Sequence, residues 1–74
     1  MEYVNNNSDN QTLISAKEVL KRVQRSKAWL YKQISKDAFP RPVKIGTRAI
    51  SFIESEVNLW IKEQISASRS EKTY

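Results

Sequence analysis

Ten lysines and arginines fall between residues 17 and 48: Lys17, Lys21, Arg22, Arg25, Lys27, Lys32, Lys36, Arg41, Lys44 and Arg48, against only Glu18 and Asp37. Long cationic side chains at this density are donors for phosphate oxygens and for the acceptor edges of bases. The net charge of this stretch, +8, exceeds the +5 of the whole 74-residue chain, because residues 1–16 carry −2 and residues 49–74 carry −1. A field so localised suits a polyanion. An anionic membrane is a rival to nucleic acid, but the basic residues do not lie opposite a broad exposed apolar face. No apolar run approaches the roughly 20 residues of a membrane span.

Other chemistries lack their residues. There is no histidine and no cysteine. That removes the commonest general base, the commonest zinc ligand, thiolate metal sites and any disulfide framework. Glu54, Glu56 and Glu63 share one short helical stretch at solvent-facing positions, where paired-carboxylate catalysis would need a concavity. An enzyme is therefore not expected, nor a cofactor, a metal or a small-molecule ligand. The first residues lack the basic and apolar regions of a signal peptide, so the chain reads as cytoplasmic.

These cations must be positioned by a single small domain. Residues 1–11, with three consecutive asparagines, and residues 66–74, rich in serine, read as disordered tails around a folded part at 12–65. Ser15 and Glu18 form a capping-box pattern in which the hydroxyl accepts from the Glu18 amide and the carboxylate reaches back to the Ser15 amide. A first helix follows over 16–23. Val19, Leu20 and Val23 form its inner face, with Lys17, Lys21 and Arg22 outside. Ser26 caps a second helix over 27–36, buried along Leu30 and Ile34. Phe39-Pro40-Arg41-Pro42 cannot continue it. Residues 43–45 and 49–52 alternate around Gly46-Thr47-Arg48, a small β-hairpin. Val57, Trp60, Ile61 and Ile65 make one apolar stripe on a third helix over 54–65. The order helix, helix, hairpin, helix is mainly α with a small hairpin, a winged helix-turn-helix.

On that frame the second helix presents its start and outer side to double-stranded DNA. Arg25, Ser26 and Lys27 stand at its start. Ala28, Trp29 and Lys32 point away from Leu30, and Lys36 lies a turn beyond Lys32. Lys27 and Lys32 reach guanine edges or phosphates, and the Ser26 hydroxyl with the free amides beside it suits a phosphate oxygen. Tyr31 lies between the faces, and both burial and phosphate contact fit it. An exposed Trp29 would pack on sugar–phosphate or a thymine methyl; the other reading folds it back onto the first helix or the hairpin. Trp60, Phe39 and Phe52 are expected in the core. In the hairpin, Arg41, Lys44 and Arg48 alternate with apolar residues, giving a packed inner face and a cationic outer one. Thr47 and Arg48 mark its tip, where Arg48 either reaches the minor groove or its phosphates or is a solvated turn charge.

The segments Leu13-Ile14 with Lys17-Glu18-Val19, Ser26 through Ile34, Phe39-Pro40-Arg41-Pro42-Val43-Lys44-Ile45-Gly46 and Glu54 through Ile61 together resemble the AlpA family. The resemblance covers about residues 13–65. It rests most on the Phe-Pro-x-Pro-Val-x-Ile-Gly segment followed by Ser-Glu-Val-x-x-Trp-Ile. Ala28 and Trp29 stand where the family more often has a small hydroxyl residue, and Thr47 replaces a frequent second glycine. The resemblance implies a fold related to excisionases and MerR-type regulators. It also implies a prophage-encoded, DNA-binding transcriptional regulator. An excisionase-like recombination directionality factor is the alternative within that fold, and a protein-interaction or antirepressor module is the alternative outside it. A module this small gains useful affinity by dimeric or cooperative binding to copies of itself.

Overall fold

Ser15 ends a strand and starts a helix in the same residue. In a computed structural model that describes residues 11–47 and 49–70, strand β1 (Leu13–Ser15) runs without a loop into helix α1 (Ala16–Val23). The Ser15 backbone is extended, and its Oγ accepts from the Glu18 amide at 3.0 Å. The other half of the expected capping box is replaced: Glu18 Oε2 accepts from Arg22 Nε at 2.8 Å. A guanidinium one turn along the helix is the stronger, charge-assisted donor. Helix α1 stops at Gln24, which adopts the left-handed conformation (φ 59°, ψ 45°) and donates its amide to the Leu20 carbonyl at 2.8 Å.

Arg25 and Ser26 then lead into helix α2 (Lys27–Ser35), with Ser26 Oγ accepting from the Trp29 amide at 3.1 Å. The expected boundaries hold within a residue. The end of α2 is a Schellman motif: the Asp37 amide donates to the Ile34 carbonyl at 2.9 Å and the Ala38 amide to Gln33 at 2.8 Å. Asp37 takes the positive φ (61°) that glycine more often supplies there.

Strands β2 (Val43–Ile45) and β3 (Ala49–Ile53) form the expected hairpin, with Gly46 at φ 75° in its turn. The sheet has a third strand that the sequence pattern did not predict. Its order is β1-β3-β2, all antiparallel, with Ile14 opposite Phe52 and Lys44 opposite Ile50. Three residues are too few for alternation to declare a strand, and β1 exists only by pairing with a partner far along the chain. Strand β3 passes directly into helix α3 (Glu54–Ser70), whose first amide donates to the Thr12 carbonyl at 2.8 Å.

The core takes one buried side chain from each helix, from the connection and from β3: Val19 of α1, Leu30 of α2, Phe39 of the connection, Phe52 of β3 and Val57 of α3. Ile14, Leu20, Val23, Ile34, Ile50 and Ile61 close around it, half-buried. Trp60, expected inside, is half-buried instead: its ring packs on Phe39 at 4.8 Å between centroids, while its Nε1 donates to the Ala38 carbonyl at 3.0 Å. Helix α3 also corrects the expected tail, continuing through residues 66–70. Its 17 residues span about 25 Å, so the helix outruns the body beneath it. Ile65, expected on the buried stripe, is accordingly 48% exposed.

Candidate nucleic-acid interface

Helix α2 is held from one side only. Leu30 is fully buried and Ile34 packs against the core, whereas Lys27, Ala28, Tyr31, Lys32, Ser35 and Lys36 are all exposed. Arg25 and Ser26, just ahead of the helix, are exposed too. The structure thus gathers the eight residues expected from 25 to 36 along one short helix and its cap, except for Trp29. For Tyr31 it decides against burial, since 44% of the residue is exposed.

Trp29 is not on the open face. It is half-buried, meeting Phe39 edge-to-face at 6.3 Å and Trp60 at 6.0 Å. The exposed-tryptophan reading is corrected on this point, and the ring folds back onto the Phe39 segment and α3. The physical reason is position: at 100° from Leu30 a large ring sits on the flank of the buried arc, and burying an aromatic surface outweighs leaving it wet. Ser26 Oγ is likewise occupied by the Trp29 amide. What remains for an anion at this helix start is the first backbone amides, which have no partner within their own helix.

The hairpin cations are arranged differently from expectation. Residues paired directly across an antiparallel ladder share a face, so Lys44 lies on the face of Ile50 and Phe52, the face that the helices cover. Val43 and Ile45 occupy the reverse face with Ser51 and Ala49, and Ile45 is 47% exposed. The expected packed inner face beneath a cationic outer one is therefore inverted. Alternation fixes which residues share a side, but only packing decides which side is covered. Lys44, itself exposed, emerges on the same side of the sheet as α2. Arg41 is exposed between the two groups, and its Nε lies 3.5 Å from Asp37 Oδ1 just after α2. Such an open pair is weak and exchanges readily for a phosphate. Thr47 is exposed in the turn. Arg48 lies outside the described residues.

One cation is removed from the available set. Arg22, expected outside, donates Nε to Glu18 Oε2 at 2.8 Å, Nη2 to Glu54 Oε2 at 3.0 Å and Nη1 to Asn58 Oδ1 at 3.2 Å, clamping α1 to the first turn of α3. The hydrogen bond from Arg22 holds the Glu18 carboxyl below its ordinary value, and the two carboxylates raise the guanidinium further above its own. The i, i+4 spacing of Glu18 and Arg22 was the sequence signal for part of this clamp.

No helix among the described residues is long and apolar enough to cross a membrane. No curated protein and no solved structure matches the chain significantly. The family model described as prophage CP4-57 regulatory protein (AlpA) matches residues 12–65, from just before β1 to the point where α3 leaves the core. With that match spanning the whole body that positions α2 and the hairpin, the chain belongs to the AlpA family of prophage regulatory proteins.

Proposed function

We propose that this protein is a sequence-specific double-stranded DNA-binding transcriptional regulator of a prophage or genomic island. The fold acts as a winged helix-turn-helix: α2 enters the major groove, and the β2–β3 hairpin lies on the adjacent groove or backbone. The observation that carries the reading is the one-sided anchoring of α2. Leu30 and Ile34 fix the helix to the core while the cations Lys27, Lys32 and Lys36 stay exposed along it. A helix of nine residues is about 13 Å long, short enough to lie across the groove without striking the backbone at both ends. Lys44 on the helix-bearing side of the sheet supports an approach of helix and hairpin to the same duplex.

The test is a footprint on DNA flanking the protein's own gene, followed by binding of Lys32→Ala to the protected sequence. Where Lys32 reads a base, its loss costs about 1–3 kcal/mol on that site and relaxes specificity there. Where it touches only phosphate, cognate and random DNA weaken alike. With about five phosphates neutralised, log K falls against log salt with a slope of roughly −4 to −5. A slope near zero, with no footprint, would overturn the DNA reading.

A further inference from the structure

The described residues contain five carboxylates outside the termini, and they divide sharply. Glu18 and Glu54 are taken by Arg22. The other three, Glu56, Glu63 and Asp37, the last in an open pair with Arg41, line a single groove of about 530 Å³ between α3 and the segment that follows α2. Its apolar lining is Phe39, Pro40, Leu59 and Trp60, and Leu59, at 55%, is the most exposed large hydrophobic side chain described. No lysine or arginine lines the groove. In a chain of net charge +5 this is an anionic, apolar surface, with Arg41 at the edge of it on Asp37.

Its complement is on the same molecule, on the far side. Lys17 and Lys21 stand one turn apart on the exposed side of α1, in no ion pair with a described residue. Lys21 with half-buried Leu20 borders a shallow cleft at the α1–α2 turn. Helix α1 reaches α3 through Glu54 and Asn58, and Glu63, nine residues after Glu54, lies about 180° around α3 from it. The anionic groove therefore opens on the side of α3 turned away from α1, and no α1 lysine pairs with its carboxylates within one molecule. We propose that the groove of one copy receives the α1 lysine face of the next, so that copies associate head to tail. The lysine stems lie along Leu59 and Pro40 while their ammonium groups reach Glu56 and Glu63. A contact between two different surfaces adds copies one after another, into a ring where the rotation closes and an open row where it does not, rather than forming a two-fold dimer. Lys17 and Lys21 are not among the residues assigned to DNA, and α2 and the hairpin stay open in such a row. The proposal goes beyond the DNA-binding reading and is tested without DNA, so the two fail separately.

The experiment uses the full chain and two exposed positions. In sedimentation equilibrium the wild type gains mass with concentration without stopping at a dimer, and added salt reverses the gain. Lys21→Gln and Glu63→Lys, with far-UV circular dichroism unchanged, each stay monomeric. Mixed in equal amounts they give a species of twice the monomer mass and nothing larger, because each supplies the one surface the other has lost. As the chain has no native cysteine, Lys21→Cys and Glu63→Cys provide a second measurement under mild oxidation. A disulfide between the two variants is expected in the mixture, well above either variant alone. A monomeric wild type at every concentration overturns the proposal. So does a Glu63→Cys chain that cross-links to itself as well as to its partner, which would mean a two-fold contact. A wild type that stays monomeric but binds a lysine–leucine peptide in the groove would assign the surface to a different protein.

Discussion

Arg22 of α1 and the lysines of α2 are used in opposite ways, although Lys17 and Lys21 beside Arg22 stay as open as those of α2. Arg22 on α1 is spent inside the molecule, holding Glu18, Glu54 and Asn58 together across two helices. Lys27 and Lys32 on α2, with Lys36 at its end, are exposed and in no described ion pair, and that helix is held by apolar side chains, Leu30 and Ile34 with Trp29 on the flank. A count of charges along the chain overstates what a polyanion meets. Availability depends on which cations the fold has already paired.

The strongest way to break this contrast is at its apolar end. Leu30→Ala should lower stability by about 2–5 kcal/mol in thermal or urea unfolding, since it opens a cavity under α2. A loss below about 1 kcal/mol would mean that the helix is held by something other than its buried leucine. Next in size is the pair Arg22→Ala and Lys32→Ala. The first should lower the melting temperature and leave the salt slope of DNA binding alone; the second should leave the melting temperature alone and weaken binding. Equal effects on both readouts from both variants would erase the distinction between a paired and an available cation.

The clamp also has a pH signature. Because Arg22 holds the Glu18 carboxyl below its ordinary value, the bridge contributes fully at neutral pH. Its contribution is lost as the pH falls through that lowered value, while the guanidinium stays charged throughout. The stability difference between the wild type and Glu18→Gln should be flat near pH 7 and shrink in acid. A difference that grows on acidification would contradict the assignment. The smallest effect is expected at Ile65, nearly half exposed where α3 leaves the core. Its replacement by alanine should cost no more than about 0.5–1 kcal/mol, well below the same change at Ile61.

Much of this was legible from local chemistry. Ser15 and Ser26 declare two helix starts through one hydroxyl each, and the single glycine marks the hairpin turn. Leu30, Phe39, Phe52 and Val57 fall in the core where period and type put them. What the sequence could not show depends on contacts between distant residues. Strand β1 has no pattern of its own, and Arg22 looks solvated until Glu54 and Asn58 arrive from α3. The side taken by Lys44 follows from ladder register, which alternation leaves open by one face. Trp29 stands at the border between buried and exposed arcs, where helical geometry alone does not choose and Phe39 and Trp60 do. Among the candidate contacts, the exposed cations of α2 were read correctly as exposed. Their meeting with DNA belongs to the experiments above.

The pairing of β1 with β3 has a consequence for how the chain acquires its shape. Leu13 aligns with Ile53 and Ser15 with Ser51, so the first strand waits for almost the whole domain before it has a partner. Of the five core side chains, Phe52 and Val57 also arrive late. As the chain is synthesised, the two N-terminal helices emerge before the residues that cover Val19 and Leu30. They pass through an interval with apolar surface open to solvent and to other chains. Closing a loop of this length costs entropy before any contact rewards it. Consolidation is therefore late and concerted, and α1 with α2 is not a fragment that folds alone. A regulator that must be translated to Val57 before any of it is stable holds α2 in its folded place only after its last core side chain has been made.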